Sequence, residues 1–244
     1  TALKPTSETF SSYFFVGPLT LDNIIHIVTD PKIMGYLKNS LIVSFGSSLM
    51  ATIVCAFAGY SFAKFRYRGR KFVMGMFMMS QAFPQAILLL SIYSLMNKTG
   101  LLGSYWALLI SYVVFTLPVG TWTLKSYFDN IPDSLIESAK IDGANDVNIF
   151  INLVLPLAFP ILILNFVGTF SAQYNDYLWP GLVISSDVKK TLMPVIRNES
   201  GLLNLSQRGA MYAMYVLCSV PLIITTASSL KHFQSGDFAS GMKL

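Results

Sequence analysis

The chain has 244 residues, 53% of them hydrophobic and only 12% charged, with a mean hydropathy of +0.56. An average soluble domain carries about twice that share of charge, so a water-soluble globular protein is a poor fit. The formal net charge is +5, yet no basic stripe interleaves with exposed aromatics, which argues against nucleic acid as a partner.

Residues 1–38 are polar and aromatic, begin at Thr1 rather than Met, and show no signal peptide. They read as an external segment that follows a missing first span. From residue 39 to 244 the pattern changes to one transmembrane domain. No Asp, Glu, Lys or Arg lies between Lys38 and Lys64, Lys71 and Lys98, Lys98 and Lys125, Asp146 and Asp176, or Arg208 and Lys231. A membrane helix needs about 20 mainly apolar residues, and each gap holds one. The predicted spans are 40–63, 72–95, 106–124, 156–173 and 209–230.

In the first of these, Ser47, Ala51, Cys55, Gly59 and Ala63 recur every fourth residue. This makes one face of small side chains, either a pore lining or, in the usual role of such faces, a seam against another helix. Cys55 and Cys218 both sit inside apolar runs and read as buried small residues. Lys64, Arg66, Arg68, Arg70 and Lys71 crowd the next loop without an acid among them. The positive-inside rule puts that loop in the cytoplasm. Alternation then puts 96–105 and 174–208 outside, and 125–155 and 231–244 inside. Lys189, Lys190 and Arg197 fall on the outside and run against the rule.

Pro84, Pro118 and Pro221 lie inside apolar runs, where each removes a backbone donor and can kink its helix. Gln81, Gln85 and Asn165 are polar side chains within spans, facing either a pathway or another helix.

Loop 125–155 is the longest cytoplasmic stretch. Ser134-Leu135-Ile136-Glu137 has the form of a capping box and predicts a short helix with Leu135, Ile136 and Ala139 on its apolar side. Gly143 can end that helix in a left-handed conformation. Asn145 or Asp146 can cap a second helix, with Val147, Phe150, Ile151 and Val154 on one face. This second helix leads into Leu155-Pro156 and the next span. The pair makes a knob suited either to a groove in another protein or to resting on lipid. Beyond it, Tyr174, Asn175, Asp176 and Trp179 have the aromatic and amide chemistry that holds sugars. Trp and Tyr at the end of a span also form interfacial belts, the reading slightly favoured here.

Much chemistry is absent. The spans contain no ionisable Asp, Glu, Lys, Arg or His, which argues against a proton-driven carrier. There is no Walker A sequence, HExxH or GxSxG stretch. No catalytic residue and no metal ligand set is predicted. A stand-alone ion-coupled carrier or channel is the rival from another class; a membrane enzyme has least support.

Residues 137–156 resemble the EAA loop of ABC importer permeases, a pattern of Glu-Ala-Ala, a later Gly and a terminal Leu-Pro. Glu137, Ala139, Asp142, Gly143, Ala144, Leu155 and Pro156 match it, Ser138 stands for the first Ala, and Ile131-Pro132 before it also fits. Leu3-Lys4-Pro5, Ala58-Gly59-Tyr60-Ser61-Phe62-Ala63 and Tyr174-Asn175-Asp176-Tyr177-Leu178-Trp179-Pro180 are similar to the carbohydrate branch, and Phe233, Gly236 and Gly241-Met242-Lys243 loosely to its glycine-rich ending. The resemblance implies an all-α polytopic membrane helix bundle in a bacterial or archaeal inner membrane. Five spans would be visible and a sixth would precede Thr1. It implies a sugar or oligosaccharide importer, with a non-sugar solute as the alternative. Its partners would be a second, non-identical permease, two ATPase subunits and an external solute-binding protein, with the lipid bilayer around it. ATP and Mg would sit on the ATPases and no cofactor in this chain. Glu137, Ser138, Ala139, Asp142, Gly143, Ala144, Leu155 and Pro156 would couple to the ATPase. Gln81, Gln85, Asn165, Tyr174, Asn175 and Trp179 are the pathway candidates.

Overall fold

The computed structural model describes residues 2–4, 19–199 and 208–234. Among these residues all regular structure is helical. The glycine-rich ending and the inside assignment of 235–244 lie outside the described residues, as does most of the segment 1–18.

Short α1 (Asp22–Thr29) leads to α2 (Pro31–Lys64), which starts earlier than the predicted span. α3 (Arg70–Ser80) and α4 (Gln85–Lys98) follow, then α5 (Tyr105–Asp129). The 125–155 region carries α6 (Asp133–Ile141), α7 (Asp146–Ile149) and a π-helical turn (Phe150–Val154). α8 (Leu155–Leu157) and α9 (Phe159–Tyr174) come next. α10 (Leu178–Val183), α11 (Leu192–Glu199) and α12 (Arg208–Gln234) complete the chain.

Among the described residues three helices are long and apolar enough to cross a membrane: Pro31–Lys64, Tyr105–Asp129 and Gly209–Leu230. The other two predicted spans are broken. α3 and α4 meet at a bend of 101°, and Asp146–Leu157 meets α9 at 75°. Pro84 stands at the first break. It has no N–H to donate and disfavours helix in the residue before it. At the second, Pro156 and Pro160 flank Ala158, and Pro160 has no N–H to offer the Pro156 carbonyl one turn back. Pro118 and Pro221 instead lie within uninterrupted α5 and α12.

The chain divides into two compact units. One comprises Thr1–Phe45, Tyr93–Leu109 and Ser171–Thr225; the other Gly46–Ile92, Ile110–Phe170 and Thr226–Leu244. In the first unit, Asn39 donates through Nδ2 to the carbonyls of Val188 (2.8 Å) and Lys190 (2.9 Å). The Tyr36 hydroxyl donates to Asp187 at 3.1 Å, and the Leu192 N–H to Ser40 Oγ at 2.7 Å. The basic residues that ran against the positive-inside rule have local partners here. Lys190 pairs with Asp187 at 2.9 Å, Lys189 donates to the Gly103 carbonyl, and Arg197 lies 4.4 Å from the centre of the Tyr177 ring. The Lys190 hydrogen bond, then that of Tyr36, holds the Asp187 carboxyl below the usual carboxylate range.

In the second unit the small face of α2 is a seam. Ser47, Ala51, Cys55 and Gly59 are buried. A Cβ on Gly59 would lie 3.0 Å from the Lys125 backbone nitrogen, and one on Gly120 2.7 Å from Cys55 Sγ. The two backbones approach this closely only because both contact points are glycines. The opposite face of α2 shows Ile53, Val54 and Phe57. An apolar surface all round is what a membrane helix needs. Cys55 and Cys218 are buried free thiols, as expected.

Candidate functional site

The site is built from Ile131 to Ala158. Pro132, at φ −57°, is the N-cap of α6, and Asp133 is its first residue, where a carboxylate favours the positive end of the helix. Ser134 therefore sits inside the helix and not at its cap; no side chain caps α6, and the predicted capping box is not formed. Lys64 accounts for the earlier start. From the end of α2 its ammonium donates to the Ile131 carbonyl at 2.6 Å and to Asp133 Oδ1 at 2.7 Å. The Lys64 hydrogen bond, followed by its charge, lowers the Asp133 pKa below the usual carboxylate range.

The end of α6 follows the prediction. Gly143 has φ +85°, its N–H donates to the Lys140 carbonyl, and the Ala144 N–H donates to Ala139. These two bonds are the paired closure of a Schellman motif, which satisfies carbonyls otherwise left open at a helix end. Lys140 bridges the turn to Asp146 at 3.0 Å. Asn145 then caps α7, its side-chain oxygen accepting from the Asn148 N–H at 2.8 Å.

The apolar face predicted for the second helix is only half right. Phe150 and Val154 are buried, but Val147 and Ile151 are exposed, and Ile149 is buried in their place. The π turn explains the shift. Its i→i+5 bonding widens the turn and brings Ile149 over Val154. Leu135 is likewise exposed, while Ile136 and Ala139 face inward.

One cluster joins the loop to the helices above it: Cys55, Ala56, Tyr60, Leu124, Phe128, Ile131, Ile136, Ile149, Phe150, Val154 and Ala158. The Phe150 ring is its wedge, 4.8 Å from Tyr60 and 4.9 Å from Phe57 between centroids. Tyr60 also meets Phe128 and Phe65 edge-on. The Tyr127 hydroxyl donates at 2.9 Å to the Leu157 carbonyl, beside the bend.

The candidate coupling residues sort into two sets. Ala139, Ala144 and Leu155 pack against the cluster. Glu137, Ser138, Asp142, Gly143 and Pro156 are exposed, and so is Ile141, at 87% of its full surface. Small side chains at 139 and 144 let the loop lie close on the cluster. The exposed set leaves a mixed acidic and apolar surface with no ion pair to Glu137 among the described residues.

The pathway candidates divide between the two units, Gln81, Gln85 and Asn165 in one and Tyr174, Asn175 and Trp179 in the other. Gln81 and Gln85 are exposed at the α3–α4 break. Asn165 lies against Gly120, and its buried Nδ2 has no hydrogen-bond partner among the described residues. Asn175 is exposed and donates back to the Ser171 carbonyl. Tyr174 and Trp179 are buried, Trp179 at 1% exposure. Tyr177 and Leu178 take the exposed positions beside them. The residues that sequence reasoning missed are Lys64, Tyr127 and Ile149. Lys64 had been read only as a topology charge, and nothing near it in sequence points to Asp133.

Residues 49–236 match the family of binding-protein-dependent transport system inner membrane components. The chain belongs to this family. It is thus a multi-pass membrane component of a transport system that works with other subunits, not an enzyme. The permease is 30% identical to the maltodextrin transport system permease protein MdxG of Bacillus subtilis, over 94% of this chain and 82% of that protein. It is 32% identical to the galactooligosaccharides transport system permease protein GanQ of the same organism, over 100% and 83%. The trehalose/maltose transport system permease protein MalG of Thermococcus litoralis is 31% identical, over 92% and 81%. Among solved structures, a chain of a bacterial ABC transporter that imports the acidic polysaccharide alginate superposes with a TM-score of 0.82. It is 20% identical, over 96% of this chain and 87% of that one, so it bears on the fold.

Proposed function

We propose that this permease lines the route of a sugar or oligosaccharide across a bacterial or archaeal inner membrane. It would pair with a second, non-identical permease, receive its solute from an external binding protein, and be driven by two ATPase subunits that hold the ATP and Mg. The observation that carries this reading is the two-helix loop, whose base is locked into the helix cluster while α6 turns Glu137, Ser138, Ile141 and Asp142 outward. The loop lies on the cytoplasmic side with the basic residues 64–71, and α6 docks in a groove of the ATPase. The sugar assignment is supported by the relatives named above, each at about the 30% level along most of its length.

Gln81 and Gln85 sit on the water-filled route in this reading. Irregular backbone at membrane depth is tolerated where protein or water covers it and not against lipid, and the α3–α4 break is exposed among the described residues. Asn165, Tyr174 and Trp179 instead hold helices together.

The test is reconstitution with the ATPases and the binding protein in liposomes, using a labelled oligosaccharide. Uptake should require ATP on the loop side, and Ile141→Cys should cross-link to the ATPase. Solute flux through the purified chain alone, or no cross-link from α6, would overturn the reading.

A further inference from the structure

The stretch Asp146–Leu157 leads into α9 and looks at first like a straight pushrod. The bend of 75° at Ala158 and the widened turn before it deny it that role, because a load along α7 does not continue down the axis of α9. The polar contacts at the entry to the loop go to α2 instead. Lys64, its side chain only 9% exposed, grips the Ile131 carbonyl and the Asp133 carboxylate on either side of Pro132. Proline has one rotatable backbone angle fewer than its neighbours, so the two bonds immobilise the whole entry to α6. A buried ammonium is tolerated only where it is paired and hydrogen-bonded, and this one has both kinds of partner. Arg70 closes the same corner by donating to the Ala63 and Phe65 carbonyls, so the polar contacts that cross from α2 to the entry of α6 are those of Lys64, beside the ring contacts of Phe57 and Tyr60 with Phe150.

Resting on the coupling role proposed for α6, we infer that Lys64 is a positioning residue for energy coupling. It ties the entry of α6 to the end of α2, so that displacement of the loop is passed to the α2–α5 pair rather than along α9. Lys64 touches neither nucleotide nor solute; it sets where the docking surface stands relative to the spans.

The experiment measures solute moved per ATP hydrolysed in the assembled importer. Lys64→Met should lower that ratio roughly tenfold, the scale of a lost charge-assisted hydrogen bond. Asp133→Asn, which keeps the bond to the Ile131 carbonyl, should lower it less, and Lys64→Arg should restore most of it. A residue needed only for folding would lower the amount of complex and leave the ratio alone. Should Lys64→Met not assemble, Asp133→Asn decides the matter, and an unchanged ratio there overturns the inference. The Ile141→Cys cross-link is read in the same samples. If it persists while the ratio stays normal, Lys64 is not a strut although α6 still docks; if it is lost from the unmodified background, the docking reading itself has failed.

Discussion

The two halves of the loop are built in opposite ways. From Asp133 to Gly143 most side chains look outward, apolar Ile141 among them at 87% exposure. From Ile149 to Ala158 the residues Ile149, Phe150, Val154 and Ala158 are buried, with Phe150 at 4% exposure. An exposed isoleucine contributes nothing to the stability of its own chain, whereas a buried phenylalanine contributes through dense packing. The difference separates a surface made for a partner from a root made for the spans. Substitutions in one half should therefore act on partners, and in the other half on structure.

The sharpest way to break this contrast is Phe150→Ala. It removes the ring that touches Tyr60 and Phe57, and it should destabilise the permease by about 3 kcal/mol, as large core deletions do. Thermal unfolding in detergent would register it; an unchanged midpoint would refute the idea of a root. Gly143→Val comes next, because a β-branched residue at φ +85° strains the turn by at least about 1–2 kcal/mol. The complex should still assemble, with transport uncoupled from ATP hydrolysis; normal transport would contradict the role of this turn. Asn145→Ala should cost about 1 kcal/mol through loss of the α7 cap, visible as faster amide exchange at Asn148. Ile141→Ser should leave stability within about 0.5 kcal/mol, as exposed substitutions do, yet weaken capture of the ATPase in a pull-down. Equal losses of both would erase the distinction between the halves.

The smallest effect is on pH. Lys64 depresses the Asp133 pKa, so the ion pair stabilises the fold above the pKa of an unfolded aspartate. That contribution is lost as pH falls through the lower folded value. Exchange of the α6 amides should quicken only on acidification below the ordinary carboxylate range, and not in Asp133→Asn.

Much of this was legible beforehand because it depends on local rules. Charge-free runs marked the membrane segments, a four-residue repeat of small side chains marked the α2 seam, and Gly143 and Asn145 occupy the backbone positions that their chemistry favours. The helix breaks were half visible. Pro84 announced the first, but the size of a bend is set by what packs on either side. The second was signalled by Pro156 and Pro160, four residues apart, and was read as the start of a span. The π turn left no mark in the hydrophobic pattern, since a 3.6-residue period was assumed where the turn is wider. Lys64 was illegible for another reason: its partners lie 67 and 69 residues away, and the same charge served a simpler reading. Tyr174 and Trp179 are buried, which residue type alone could not foretell, since aromatics that suit a membrane boundary or a sugar also fill a core.

The glycine contacts between α2 and α5 limit how those two helices can move. With a sulfur 2.7 Å and a backbone nitrogen 3.0 Å from where the two Cβ atoms would be, the contact resists a roll of either helix about its own axis. One residue's worth of rotation, about 100°, would drive Val54 toward a gap that holds no side chain larger than Cys55. Tilting as a joined plank remains open to them. The transport cycle of this permease should accordingly leave distances between labels across that contact constant while distances to other helices change.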